Sequence, residues 1–232
     1  MIEPLTASPE SIVAKNYAVI EQSPLSLPVA AAYTAALSSH PHLADIEILP
    51  MPDDSASPAS ARPSWKSESG HSQVFLHVGN LDKVFSMTKF AIDTVPGFAK
   101  RFAELYGIEE AQVTPQFKYV ESFVHELGHA DEYAKVASSP ETFAIANQRA
   151  KASMPLGSAA VSRLIASGTP HHTWLHQNSA ALLARTGASN VDEAIGMQHD
   201  AYRMLPSERR ADLFAANVFA ANPELLDLAL KS

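Results

Sequence analysis

The chain contains no cysteine among its 232 residues. Disulfide bonds and a cysteine-ligated zinc site are therefore both excluded. Basic residues are scarce as well, since 17 lysines and arginines face 25 aspartates and glutamates, which gives a formal net charge of −8. A nucleic-acid-binding protein needs a basic face for the phosphates, so the charge balance argues against a nucleic-acid partner.

Long apolar runs are also missing. No segment reaches the length of a membrane span, and residues 1–6 lack the basic stretch followed by an apolar stretch that opens a secretory signal. We therefore expect a soluble protein with no membrane partner. Its expected location is the cytoplasm, or outside the cell after export by a route that needs no signal peptide.

The apolar content, 46% of the residues, is enough for a substantial core, and we expect one catalytic domain over residues 1–232. Residues 51–72 are rich in Pro, Ser, Ala and Asp, and their composition predicts a mobile surface loop. Apolar periodicity and the positions of Pro and Gly predict a mostly helical α+β fold. The predicted strands are 45–49 and 73–78, and the predicted helices are 8–20, 28–37, 81–93, 97–106, 115–137, 141–151, 156–167, 173–186, 191–203, 206–220 and 223–231.

The helix predicted at 115–137 carries a stretch with metal-binding chemistry. His125 and His129 are four residues apart, so their imidazoles point the same way on a helix, and both can reach one metal ion. Glu126 lies beside that ion without having to ligate it, where it can accept a proton from a water molecule on the metal. Gly128 costs this helix about 1 kcal/mol relative to Ala, which indicates that another element packs closely against the same turn.

A zinc site of this kind needs a third protein ligand. The helix predicted at 206–220 offers Glu208, and Asp212 follows four positions later on the same face. Like charges at this spacing destabilise an isolated helix by roughly 0.2–0.5 kcal/mol, so the pair makes most sense if cations lie against it. A zinc ion on Glu208 and an imidazole N–H donated to Asp212 would supply them. Glu132 is a competing candidate ligand, although a solvated helix surface is its default environment.

The combination of His125-Glu126-x-x-His129 with Glu208-x-x-x-Asp212 resembles the gluzincin zinc metallopeptidases. The segment Glu208-x-x-Ala211-Asp212-x-Phe214-Ala215 is similar to the corresponding segment of ImmA/IrrE-type intracellular peptidases. The resemblance covers these two short segments, and the 79 positions from His129 to Glu208 are more than the compact members of that group use.

The resemblance implies a zincin-like fold, in which a small sheet packs on the HExxH helix and a helical lobe, here 138–232, carries the third ligand. It also implies a zinc ion on His125, His129 and Glu208, with Asp212 behind a histidine ligand. Glu126 would then be the general base in the hydrolysis of a protein or peptide substrate. A sheet edge commonly borders the cleft of such enzymes, and the strand at 73–78 is the candidate for that edge, with a core strand as the equal alternative.

Three further side chains are candidates to stabilise an oxyanion, because each could donate a hydrogen bond to the developing charge. They are Tyr133, His199 and Tyr202, and the sequence does not choose among them. Two other interpretations stay open. Glu126-x-x-His129 is also the repeated element of di-iron carboxylate proteins, but its only second copy, Glu68-x-x-His71, lies in the predicted loop. The other is a non-enzymatic helical interaction protein in which zinc is structural or absent.

Overall fold

The computed structural model describes residues 9–52, 57–95, 97–136 and 177–232, together with positions 55, 141, 144, 145 and 148. Its helices are α1 Pro9–Ile20, α2 Ser26–Ser39, α3 Asp82–Thr94, α4 Phe98–Tyr106, α5 Pro115–Val136, α6 Ser179–Thr186, α7 Val191–Arg203, α8 Pro206–Ala221 and α9 Pro223–Leu230. The strands are β1 Glu47–Pro50, β2 Ala59–Arg62 and β3 Gln73–Leu76, and short 3-10 helices lie at Pro41–Asp45, Ser64–Lys66 and Glu110–Gln112.

The predicted α+β class with mostly helical structure is confirmed at this coarse level. Several helices begin at a Pro or end at a Gly of the sequence. Pro115 and Pro206 open α5 and α8, because the first turn of a helix needs no N–H from these positions. Gly107, with φ of 66°, ends α4 in the left-handed conformation that glycine adopts without a steric cost. The predicted helix at 156–167 lies outside the described residues, as do most of 141–151 and the beginning of 173–186.

The three strands form one sheet in the order β1-β3-β2, with β1 parallel and β2 antiparallel to β3. Part of the segment 51–72, predicted as a loop, is a strand, since residues 59–62 form β2. Of the two alternatives for the strand at 73–78, a sheet edge or a core strand, the structure has the core strand, because β3 is central. The segment Ala59–Arg62 has no β-branched or aromatic residue, so its strand conformation comes from pairing with β3 and packing on α5.

The outer edge of β1 is covered by a side chain of α1. The amide of Asn16 donates to the backbone oxygen of Ile46 at 2.9 Å and accepts from the backbone N–H of Ile48 at 2.7 Å. Asn16 is fully buried, and it also donates to the hydroxyl of Tyr33 at 2.7 Å. The amide therefore satisfies β1 where a further strand would otherwise pair.

Helix α5 lies in the centre of the molecule, with the sheet, α2, α3 and α8 packed around it. Its apolar residues belong to a hydrophobic core that also includes side chains of α2, the sheet, α8 and α9. Gly128 makes the closest approach to α8, because a Cβ at this position would lie 3.0 Å from the Cα of Ala211 and 3.0 Å from the Cβ of Phe214. The predicted close packing against this turn is confirmed.

Among the described residues, no single helix combines the length and the apolar character needed to cross a membrane. Helices α8 and α9 meet these criteria only when they are taken together, and they are bent by 103° at their junction.

Candidate metal centre

Helices α5 and α8 bring three predicted ligands to one point. Nε2 of His125 lies 3.3 Å from Oε2 of Glu208, and Nε2 of His129 lies 3.5 Å from Oε1 of the same carboxylate. All three residues are buried. The close approach of α8 at Gly128 makes this possible, since Ala211, which touches that turn, lies within one helical turn of Glu208.

The spacing of these donor atoms fits a metal ion. A tetrahedral zinc ion holds nitrogen and oxygen ligands at about 2.0–2.1 Å, which places the ligand atoms about 3.3–3.4 Å from one another. The two distances from Glu208 to the histidines, 3.3 and 3.5 Å, match that separation. Two imidazoles and a carboxylate are also a donor set that zinc accepts. His125, Glu126 and His129 form one group that could hold a metal ion, and Glu121, His125 and Asp212 form another.

The charges around the histidines also favour a bound cation. Among the described residues, four carboxylates and two basic side chains lie around them, so that negative side chains outnumber positive ones by two. The carboxylates are Glu121, Glu126, Glu208 and Asp212, and the basic residues are Lys118 and Arg203. Buried charges are costly unless they are paired, so a divalent cation or protons on the histidines must offset the excess.

Glu126 follows His125 and faces the same space as the two imidazoles. Burial of its carboxylate raises the pKa of Glu126, while the nearby histidines and the backbone of Ala61 act in the opposite direction. Ala61 belongs to β2, which packs on α5. The edge strand that sequence analysis missed therefore contacts the residue predicted to be the general base.

Asp212 stands behind His125. Its Oδ1 lies 3.0 Å from Nδ1 of His125, off the line of a straight N–H···O hydrogen bond. Burial lowers the pKa of His125, but the neighbouring carboxylates of Asp212 and Glu208 outweigh burial and raise it to about 9 in the protein without metal. Burial raises the pKa of Glu208, yet contact with the two histidines holds it well below its ordinary value. Glu208 is thus an anion, which is the form in which a carboxylate binds a metal ion.

Arg203 is the important residue that sequence analysis missed. It lies at the C-terminal end of α7, forms an ion pair with Asp212, and places Nη1 3.7 Å from Oε2 of Glu208. The like-charged pair on α8 had indicated that a cation lies against it. The sequence could not show that a guanidinium on the preceding helix supplies part of that charge.

A second polar group lies one helical turn before His125. Glu121 accepts a hydrogen bond from the hydroxyl of Tyr106 at 2.8 Å and forms a buried ion pair with Lys118. Nζ of Lys118 also lies 3.5 Å from the centre of the Phe102 ring, within the range of a cation–π contact. The signal for this group was available, since Lys118 and Glu121 interrupt an otherwise apolar stretch of α5.

The three oxyanion candidates differ in their surroundings. Tyr133 stacks beside His129 with ring centres 6.1 Å apart, and Trp65 approaches Tyr133 edge-on with ring centres 5.9 Å apart. Tyr202 interacts with the carboxylate of Glu208 through its hydroxyl. Burial raises the pKa of Tyr133 and the pKa of Tyr202 well above the usual range of a tyrosine. Both are therefore neutral hydrogen-bond donors at neutral pH. The side chain of His199 lies outside the part of the chain that the structure describes.

The competing ligand candidates lie elsewhere. Glu132 forms an ion pair with Arg210, whose Nε donates to Oε1 at 2.8 Å. Glu68 is exposed and His71 half-buried, in the turn after the 3-10 helix Ser64–Lys66. In the described part of the chain, neither of the two side-chain groups that could hold a metal includes Glu132, Glu68 or His71, and neither includes Glu208.

Comparison with known proteins adds no relative. No family model matches the chain. No curated protein matches it, and no solved structure does so either. What can be stated of the site thus rests on its own geometry, a buried group of histidines and glutamates that could hold a metal ion.

Proposed function

We propose that the protein is a zinc-dependent metallopeptidase of the gluzincin type, which hydrolyses peptide bonds in a protein or peptide substrate. One observation supports this proposal above all others. The two oxygens of Glu208 lie 3.3 and 3.5 Å from the Nε2 atoms of His125 and His129, although α5 and α8 are far apart in the sequence.

Each residue of the site would have its own role in such a reaction. His125, His129 and Glu208 would hold the ion. Bound zinc lowers the pKa of a water ligand to about 7 and polarises a carbonyl group. Glu126 has the position to take a proton from the attacking water and to pass it to the leaving amine. Asp212, whose Oδ1 lies 3.0 Å from Nδ1 of His125, would accept its N–H and so orient the imidazole.

Tyr133 is the best placed of the oxyanion candidates. Its ring lies beside that of His129, and its hydroxyl keeps its proton at neutral pH because burial raises its pKa. Tyr202 is the second candidate, and its hydroxyl interacts with Glu208. A neutral hydroxyl next to the metal ligands can donate to the negative charge that develops on a carbonyl oxygen.

The sheet offers a place for an extended substrate. The outer edge of β1 is covered by Asn16, whereas β2 is the edge whose backbone, through Ala61, reaches Glu126. An extended peptide can pair with a free strand edge through its main chain. A peptide on β2 would run past the general base, which favours a peptide bond over a small-molecule ester as the target.

Metal analysis and product mapping test this proposal together. Purified protein should carry about one zinc ion per chain, and Glu126→Gln should keep the zinc content and the melting temperature while hydrolysis is lost. Wild type and Glu126→Gln are added to a cell lysate, and new peptide termini are identified by mass spectrometry. Glu104→Gln, an exposed change on α4, is the matched control and should cleave like wild type.

The outcomes separate the competing interpretations. Termini that appear with wild type and Glu104→Gln but not with Glu126→Gln support a peptidase. Hydrolysis by Glu126→Gln within a few-fold of wild type would refute the role of Glu126. Stoichiometric zinc without new termini favours a structural ion, and absence of zinc favours a non-enzymatic interaction protein.

A further inference from the structure

Arg203 occupies an unusual position for a residue next to a metal site. Its guanidinium forms an ion pair with Asp212, lies 3.7 Å from Glu208, and has its central carbon 5.5 Å from the ring centre of Phe102. The side chain is only 18% exposed. A positive charge is therefore held among the same carboxylates that the proposed zinc ion would contact or influence.

The two cations act on the same anions. Glu208 would bind zinc directly, and Asp212 would bind it indirectly through His125. Without metal, Arg203 is the arginine or lysine of the described residues that lies beside both carboxylates, and the imidazole of His125 is their other partner. A buried carboxylate that loses its partner strongly destabilises the folded state. Arg203 thus stabilises the metal-free protein, and this contribution should shrink once a divalent ion neutralises the same groups.

Coulomb's law predicts the direction in which the loss of Arg203 changes zinc affinity. A guanidinium a few ångströms from the ligands repels a divalent cation, and removing it makes the site more negative. Charge alone therefore predicts that the loss of Arg203 does not weaken zinc binding. Loss of Asp212 should have the opposite effect, because it removes the acceptor that orients a histidine ligand.

We infer that Arg203 and zinc are alternative counter-charges for Glu208 and Asp212, so that Arg203 holds the site together before the metal arrives. This inference rests on the proposed zinc site. Because each cation reduces the need for the other, their effects on stability are negatively coupled, and the coupling is reciprocal. Arg203 is a positioning residue in this scheme and takes no part in proton transfer.

The experiment compares melting temperatures of the full chain with and without zinc. Arg203→Met removes the charge and keeps much of the volume, and it should lower the melting temperature of the chelator-treated protein by about 10 °C. The zinc-loaded variant should lose less than half of that. Zinc affinity, measured by competition with a chromophoric chelator, should stay equal or become about tenfold tighter.

Two further variants make the test specific. Arg101→Met breaks the ion pair with Asp200, which joins α4 to α7 without touching the site, and should lower both melting temperatures equally and slightly. Arg203→Lys keeps a positive charge, so it should recover most of the stability of the metal-free protein. It also serves as the test protein if Arg203→Met does not fold, with the chelated and zinc-loaded states compared in the same way.

Several results would overturn the inference. Equal losses of melting temperature with and without zinc would reduce Arg203 to a structural residue. A zinc affinity more than tenfold weaker in Arg203→Met would show that it assists the metal. If Arg203→Lys is as unstable as Arg203→Met, packing on Phe102 rather than charge is responsible. Wild-type protein that zinc does not stabilise would refute the zinc site itself, which separates that failure from the others.

Discussion

Substitution of Gly128 by alanine tests the contact that brings the ligands together. A Cβ at this position would lie 3.0 Å from the Cα of Ala211 and 3.0–3.1 Å from the Cβ and Cγ of Phe214. Ordinary contacts are 3.4–4 Å, and the Cα of Ala211 is a backbone atom that no rotamer change can move. Helix α8 would have to move away from α5 by about 0.5 Å to accept the methyl group.

Two effects of this substitution oppose each other. Alanine favours the helical state over glycine by about 1 kcal/mol, whereas overpacking a well-packed contact costs about 1–3 kcal/mol. We expect overpacking to win by roughly 1 kcal/mol, which lowers the melting temperature by about 2–4 °C for a chain of this size. The shift of α8 also carries Glu208 away from His125 and His129, so zinc affinity should fall about tenfold, because binding geometry tolerates only about 0.5 Å.

The assay is a thermal melt of the chelated protein combined with a zinc titration. Ser122→Ala, on the same helix, is the control that measures the gain in helix propensity without a new contact at α8. Gly128→Ala should be less stable than wild type, and Ser122→Ala should not be. If Gly128→Ala melts higher than wild type and binds zinc normally, then α8 does not press on this turn, and the account of the site geometry is wrong.

Further predictions concern the ligand set and the segment 51–72. Glu208→Ala should lose most of its zinc affinity, because it removes the third ligand, whereas Asp212→Ala should cost roughly 10–100-fold in zinc affinity or activity. Glu132→Ala should lower zinc affinity much less, since it breaks only the ion pair with Arg210. If Glu132→Ala instead lost its zinc while Glu208→Ala bound zinc normally, Glu132 rather than Glu208 would be the third ligand. In 51–72, amide exchange should be rapid and proteolytic nicking preferential outside β2, but slow at the amides of β2 that pair with β3, and uniform protection would contradict this.

The helices of the described residues could be predicted closely from the sequence. The bounds of α5, α7 and α8 differ by at most one residue from the predicted ones. Apolar periodicity indicated each of these helices, and Pro115 and Pro206 marked the first residues of α5 and α8. Strand β2 could not be predicted in the same way. Its four residues have no local preference for a strand, and only the presence of β3 and α5 beside them decides their conformation.

The same difference between local and tertiary determinants applies to the site. The spacing of His125 and His129 is a local property of one helix, and the repulsion between Glu208 and Asp212 is also visible within a short segment. The structure brings these four residues together. The role of Arg203 depends on the angle at which α7 turns into α8, and no pattern in the sequence encodes that angle.

The amide of Asn16 limits which edge of the sheet can accept a further strand. By filling the hydrogen-bonding positions of Ile46 and Ile48, it ends the sheet at β1, so a strand from another molecule finds no unpaired backbone groups at these positions. The other edge of the described sheet is β2, whose backbone at Ala61 reaches Glu126. A strand from a second copy that paired with β2 would lie where we propose that an extended peptide binds. Self-association at this edge and access of such a peptide to Glu126 would then exclude one another.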